Sequence, residues 1–163
     1  MASANYSLIR RGSAVKLHES VELILKQKGS RVYDISPHVT VYEALETMVE
    51  MDIGALVVMQ GTDLVGLISE RDYARKVILK GRSSKEMKVH EVMSSPAVTV
   101  NVRTTIDECM RLITDERCRH LVVVEEDRVA GVVSIGDLVN WIITAQDLTI
   151  HQLEDYISGR YPA

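Results

Sequence analysis

Gly66-Leu-Ile-Ser69-Glu-Arg-Asp72 and Gly131-Val-Val-Ser134-Ile-Gly-Asp137 decide the fold, because they are the same sentence written twice, 65 residues apart. Each reads as a strand that runs through a serine into a helix carrying an aspartate in its first turn. One reading is local. Serine is a preferred N-cap, a carboxylate three residues on can bond back to it, and both suit the positive end of the helix dipole. The other reading is chemical. An aspartate carboxylate can accept hydrogen bonds from both hydroxyls of a ribose, and helix N-terminal amides suit a phosphate. The readings are compatible, since a capping serine can still touch a ligand.

Working outward, a shift of 65 aligns Asp34–Val77 with Thr99–Ile142 without a gap. The identical pairs are Thr40/Thr105, Glu43/Glu108, Leu56/Leu121, Val57/Val122, Val58/Val123, Gly66/Gly131, Ser69/Ser134 and Asp72/Asp137. The apolar pattern matches almost throughout, so the chain holds two copies of one supersecondary design. In each, apolar residues recur at helical spacing: Val41, Ala44, Leu45, Met48 and Val49, then Ile106, Cys109, Met110 and Ile113. Both helices follow a threonine with a glutamate three residues on, a capping-box signature. Short β-branched runs, Ala55–Met59 with Leu64–Ile68 and Leu121–Val124 with Val129–Val133, predict paired strands across polar turns at Gly61-Thr-Asp63 and Glu125-Glu-Asp127. Helices are expected at Asp72–Leu79 and Asp137–Ile143, and leading strands at Val32–Ile35 and Ala97–Val100. Helical turns precede the copies at Val21–Lys28 and Val89–Met93. A polar linker, Lys80–Lys85, joins them, and a separate tail helix is expected at Leu148–Ile157. Its residues Leu148, Leu153, Tyr156 and Ile157 would pack on the module or on a second subunit.

The fold class is therefore α+β, two β-α-β-β-α repeats. One repeat is too small for a stable core, so two are expected to pack face to face with pseudo-two-fold symmetry and leave two related clefts.

Composition narrows the function. The 163 residues are 46% hydrophobic and 26% charged, enough to bury a core without disulfide or metal. The net charge of −4 disfavours nucleic-acid and membrane-surface binding, and an aromatic content of 4% without phenylalanine disfavours base-stacking platforms. Cys109 and Cys118 have no metal-knuckle spacing and read as reduced core thiols, consistent with a cytoplasmic location. The start lacks a secretory signal, and no run of about 18 apolar residues predicts a membrane span. No nucleophile elbow, P-loop, zinc-protease or dinucleotide motif is present, and the five histidines are scattered, so neither an enzyme nor a metal site is expected. Met48, Met93 and Met110 read as packing residues, and Glu70 as a solvated one.

The paired units, the middle-strand segments Gly54-Ala-Leu-Val-Val58 and Arg119-His-Leu-Val-Val-Val124, and the two Gly-h-h-Ser-x-x-Asp segments (h, apolar) together resemble a tandem CBS-domain (cystathionine β-synthase-type) module over roughly residues 20–145. The stretch Ile68–Val77, with Gly81–Ser84 after it, looks like the small stand-alone bacterial signal-transduction members. The resemblance divides the chain into an N-terminal extension at 1–20, a first repeat at 21–80, a linker and second repeat at 81–147 and a helical tail at 148–163.

The resemblance also implies a bound adenosyl ligand, such as AMP, ADP, ATP, NAD(H) or S-adenosylmethionine, with no catalytic cofactor. Ser69 and Asp72 would hold its ribose in one cleft, Ser134 and Asp137 in the other. The opposite repeat would supply further contacts. Arg119 and His120 would come to the Asp72 cleft. Lys28, Gly29, Ser30, Val32 and Tyr33, with Ile53, Gly54 and Ala55, would face the Asp137 cleft, alongside Ile135 and Gly136. Because Arg119 and His120 align with Gly54 and Ala55, the Asp72 cleft is expected to favour the more charged end of a nucleotide. Arg71, Arg75 and Arg82 could reach a second phosphate or form a solvated face. The implied partners are a homodimer mate and an unknown effector protein, with no nucleic acid and no membrane. The competing readings are a ligand-free assembly module and, against the missing motifs, a nucleotide-processing enzyme.

Overall fold

The computed structural model describes residues 18–157. Its elements are α1 (Val21–Lys28), β1 (Asp34–Ile35), α2 (Val41–Met51), β2 (Ala55–Gln60), β3 (Asp63–Ser69), α3 (Glu70–Lys76), a 3-10 turn at Ile78–Lys80, α4 (Val89–Val92), β4 (Thr99–Asn101), α5 (Ile106–Asp115), β5 (His120–Glu125), β6 (Arg128–Ser134) and α6 (Ile135–Ile157). The fold is α+β, with two three-stranded sheets ordered β1-β2-β3 and β4-β5-β6.

The repeat is visible bond by bond. Thr40 and Thr105 each cap a helix through a complete capping box, with Glu43 and Glu108 returning a carboxylate to the cap. The Thr40 hydroxyl and its backbone N–H hold the Glu43 carboxyl below its ordinary value, and the Thr105 backbone N–H and hydroxyl do the same for Glu108. β1 joins β2 in parallel through Val57 N–H donating to Tyr33 carbonyl at 3.1 Å, and 65 residues later Val122 N–H donates to Val98 carbonyl at 3.0 Å. β2 and β3 pair antiparallel, with Ala55 opposite Ser69. The hairpin turns take left-handed backbone at Gly61 in one copy and at Glu126 and Asp127 in the other. Two tandem positive φ values fit the right-handed twist of a two-residue hairpin.

Two compact clusters form, and they cut across the repeats. One comprises Ser30–Val100 and His120–Val132. Within it, Val41, Ala44, Met48, Leu56, Val58, Ile68, Val77, Met87, Val89 and Val92 make one core. Ala55, Val57, Leu67 and Val122 make another, where β2–β3 and β5–β6 share apolar faces with Val32, Ala97, Val124 and Val129. The other cluster takes residues 18–29, 101–119 and 133–157 of the described chain. It buries Val21, Ile24, Leu25, Ile106, Cys109, Ile113 and Leu138.

The helical turns that precede each copy are therefore exchanged. α4 precedes the second copy but packs with α2 and α3 of the first. Val89 N–H donates to Val39 carbonyl at 3.0 Å, and Val41 N–H to Met87 carbonyl at 2.9 Å. α1 precedes the first copy but docks with α5 and α6. Val21 N–H donates to Thr104 carbonyl at 2.9 Å, and Ile106 N–H to Glu19 carbonyl at 3.0 Å. Trp141 on α6 donates its indole N–H to Glu19 at 3.1 Å.

Two expectations need correction. The helix expected at Asp137–Ile143 and the tail helix expected at Leu148–Ile157 are one 23-residue helix, α6. Thr144-Ala-Gln-Asp147 is polar but contains no glycine or proline to stop it. The side chains of Leu148, Leu153, Tyr156 and Ile157, on which a packing face was read, lie outside the described residues, as do residues 1–17 of the N-terminal extension. The helix expected at Asp72–Leu79 is also shorter. α3 ends at Lys76 and the chain tightens into the 3-10 turn, closed by Gly81 at φ 64.

Candidate functional site

Each Ser-x-x-Asp segment folds as a strand end, a cap and a helix start. At the first, Ser69 N–H and Oγ both donate to Asp72 Oδ2, at 3.0 and 2.7 Å, and Asp72 N–H returns a 3.3 Å bond to Ser69 Oγ. At the second, Ser134 N–H donates to Asp137 Oδ2 at 2.8 Å and Asp137 N–H donates to Ser134 Oγ at 3.1 Å. The local reading therefore holds at both motifs. The strand entering each helix is tied alike: Glu70 N–H donates to Gly54 carbonyl at 3.1 Å, and Ile135 N–H to Arg119 carbonyl at 2.9 Å. Both aspartate side chains keep access to solvent, Asp72 at 14% and Asp137 at 26%.

Beyond the caps the two motifs diverge. Asp72 Oδ1 accepts from Lys76 Nζ at 2.9 Å and from Ser94 Oγ at 3.2 Å. Lys76 is anchored in turn by Val92 carbonyl at 2.7 Å. Ser94 arrives because the chain after α4 bridges onto β3. Ser94 N–H donates to Leu67 carbonyl at 2.8 Å, and Leu67 N–H to Ser94 carbonyl at 3.0 Å. That approach needs Gly66, where a β-carbon would stand 2.8 Å from both Met93 Sδ and Ser94 carbonyl oxygen.

In the second motif the position equivalent to Lys76 is Trp141, which turns to Glu19. The ammonium comes instead from Lys28, at the end of α1, 2.7 Å from Asp137 Oδ2. α1 has eight residues where α4 has four, and the extra turn carries Lys28 to the carboxylate. Burial alone would raise the Asp137 carboxyl. Donation from Lys28 and Ser134, with the lysine's charge, outweighs it and holds the group below its ordinary value.

A family model for the CBS domain matches residues 30–78 and 89–144. The chain belongs to the CBS-domain family. A mitochondrial CBS domain-containing protein of Arabidopsis thaliana is 40% identical over 127 residues, 75% of this chain and 62% of the relative. This chain thus spans less than two thirds of that protein. A Burkholderia ambifaria structure described as a signal-transduction protein with CBS domains superposes with a TM-score of 0.74 at 43% identity, covering 77% of this chain and 94% of that one. A hexameric CBS-CP12 protein from bloom-forming cyanobacteria superposes with a TM-score of 0.68 at 28% identity, covering 74% and 66%.

Among the other residues read from sequence, His120 comes to the first CBS motif. Its Nε2 lies 3.6 Å, and Glu70 Oε2 3.7 Å, from the point a Gly54 β-carbon would occupy. Glu70 is exposed, as read, but it shares that point with the imidazole rather than facing solvent alone. Gly54 and Ala55 sit against the same motif through Glu70 and Ser69, and Ile53 N–H donates to Met48 carbonyl. Arg119 is tied by its carbonyl to Ile135 at the second motif, where Gly136 leaves its β-side open except for Ser134 Oγ at 3.5 Å. Lys28 meets Asp137, and Gly29 ends α1 at φ 92. Ser30, Val32 and Tyr33 fall in the other cluster, Val32 in its apolar core and Tyr33 under the Arg31 guanidinium at 5.0 Å. Arg71 is half-buried, whereas Arg75 and Arg82 are exposed.

Sequence reasoning missed Ser94 and Lys76. The spacing of Asp72 and Lys76, i and i+4 on one helix, was the available signal for the second. For Ser94 the signal was weaker, the first of two serines before a proline, Ser94-Ser95-Pro96.

Cys109 is buried, and burial pushes its thiol up to about 11, which suits a packing residue rather than a nucleophile. Neither cysteine is in a disulfide. Among the described residues no His, Cys, Asp and Glu group could hold a metal, and no helix is long and apolar enough to cross a membrane.

Proposed function

We propose that this chain is a regulatory module that binds an adenosyl nucleotide at its Ser-x-x-Asp motifs and passes the resulting change in packing to a partner protein or a second copy. The observation that carries the reading is the Asp137 carboxylate. It is oriented by Ser134, charge-stabilised by Lys28 and open to solvent, which is how an acceptor for a ribose diol needs to be held. Membership of the CBS-domain family supports an adenosyl ligand, and the signal-transduction description of the Burkholderia protein supports a regulatory output. For such an output the ligand must prefer one conformation over another.

A second reading, an assembly module without nucleotide, is favoured by one feature. Ile135, Val139, Ile143 and Ile150 form an exposed apolar stripe along α6, at 39–51% exposure. Such a stripe suits a second copy, C2 pairing is the common arrangement, and the cyanobacterial relative is a hexamer.

Thermal unfolding of ligand-stripped protein with AMP, ADP, ATP, NAD, NADH and S-adenosylmethionine separates the readings. At 100 times its dissociation constant a ligand adds about 2.7 kcal/mol, roughly 5–10 °C for a chain of this size. A shift lost on Asp→Ala substitution at the motifs is the expected result. No shift with any compound would leave the assembly reading in its place.

A further inference from the structure

The two motifs are equal in sequence, but their carboxylates are not equally available. A carboxylate offers about four lone-pair sites. Asp72 has donors on all four: Ser69 N–H and Oγ on Oδ2, and Ser94 Oγ and Lys76 Nζ on Oδ1. Asp137 accepts from Ser134 N–H and Lys28 Nζ, both on Oδ2, with the Ser134 hydroxyl as a weaker third donor. Among the described residues nothing donates to Asp137 Oδ1.

We infer that the Asp137 motif is the tighter of the two ribose sites and that Ser94 is an internal occupant of the Asp72 motif, a built-in hydroxyl standing where a ribose hydroxyl would otherwise bond. This rests on the nucleotide reading above and goes beyond it by ranking the sites. The argument is one of exchange. At Asp137 a ribose diol meets vacant acceptor sites. At Asp72 it must displace Ser94 Oγ or Lys76, and both are fixed: Ser94 by its paired backbone bonds to Leu67, Lys76 by Val92 carbonyl. Displacing one such bond is worth about a tenfold change in affinity.

Charge points the same way. The Lys28 ammonium has two further N–H donors and stands 2.7 Å from the ligand-facing carboxylate. It therefore favours a phosphate on the bound ribose and opposes a sulfonium. At the Asp72 motif the ammonium 2.9 Å from the carboxylate, Lys76, is held by Val92 carbonyl as well and has fewer N–H donors left for a phosphate.

Isothermal titration with AMP, ADP, ATP, NAD, NADH and S-adenosylmethionine tests this on the full chain, with folding of each variant checked by unfolding in the absence of ligand. The expected result is that Asp137→Asn weakens the tightest event at least tenfold. Asp72→Asn acts on the weaker event, and Ser94→Ala strengthens that weaker event several-fold. A tightest event weakened more by Asp72→Asn than by Asp137→Asn overturns the ranking while leaving the nucleotide reading intact. Ser94→Ala with no gain at the weaker event overturns the internal-occupant assignment. No binding by any compound to the unaltered chain overturns both the ranking and the nucleotide reading.

Discussion

Asp72 and Asp137 occupy matching positions in the two CBS domains, are capped by matching serines and begin matching helices, yet they live in different electrostatic surroundings. Asp72 is enclosed by its own helix, through Lys76, and by a serine delivered from the segment after α4. Asp137 meets a lysine from the far end of α1, more than a hundred residues away in sequence. The difference teaches that a repeated motif fixes a repeated cap and nothing more. The chemistry at each carboxylate is decided by what lies beyond the cap: at Asp72 its own Lys76 and the incoming Ser94, at Asp137 the lysine that one extra turn of α1 carries in.

The sharpest way to break the comparison is at Gly66. Gly66→Ala sets a β-carbon 2.8 Å from a backbone oxygen and from Met93, so strand and segment must part. The expected cost is about 1–3 kcal/mol in chemical denaturation. Gly54→Ala, whose β-carbon meets only ordinary contacts at 3.6–3.7 Å, is expected to change stability by no more than about 0.5 kcal/mol. Equal costs at the two glycines would mean that Ser94 does not need the close approach.

The Asp137 side is broken more gently, by Lys28→Met. The pair is half-exposed, so the expected loss at neutral pH is about 1 kcal/mol or less. Its pH dependence is diagnostic. The folded-state carboxyl is depressed below its unfolded value of about 4, so its stabilisation is fully present above that value and is lost as pH falls through the folded one. The gap between the parent chain and Lys28→Met should therefore be constant near neutrality and close below about pH 4. A gap that persists into acid would assign the lysine's role to packing.

The smallest effects test whether the domains are equivalent away from the motifs. Asp52 and Arg117 occupy matching positions at the ends of α2 and α5, with φ of 52° and 51°. Asp52→Gly and Arg117→Gly are each expected to raise stability by about 0.5 kcal/mol, the arginine slightly more because aspartate tolerates the left-handed region better. Opposite signs at the two positions would show that the equivalence stops short of the helix ends.

Much of this architecture is legible in the sequence because it is local. Thr40 and Glu43, like Thr105 and Glu108, name their helix starts three residues apart. The β-branched runs around Gly61 and around Glu126–Asp127 name their hairpins. Ser69, Asp72, Ser134 and Asp137 announce themselves by recurrence, and Lys28 lies 2.7 Å from Asp137. But the resemblance implied the Asp137 cleft for Gly54 and Ala55, whose backbone is tied to Glu70 and Ser69, and the Asp72 cleft for Arg119, whose carbonyl is tied to Ile135. What could not be read is what depends on distant pairing. Nothing in Val21–Lys28 says that it packs on α5 and α6 rather than on the copy that follows it, since its apolar face fits any helical groove. Ser94 carries no periodic signal, and its meaning appears only when Gly66 lets two backbones touch. The continuity of α6 across Thr144–Asp147 carries no sequence signal of its own beyond the absence of glycine and proline, although Ala145 is buried along it.

The exchange of α1 and α4 also sets an order of events during synthesis. Once α4 has left the ribosome, the first repeat has everything it needs to close its helical core, for Val89 and Val92 are already in hand. α1, made first, has no docking surface until α5 and the start of α6 have been translated. α1 therefore waits, its apolar face uncovered, until α5 and α6 are made, and the unit that holds the first repeat waits likewise for His120–Val132 before its second apolar core can close.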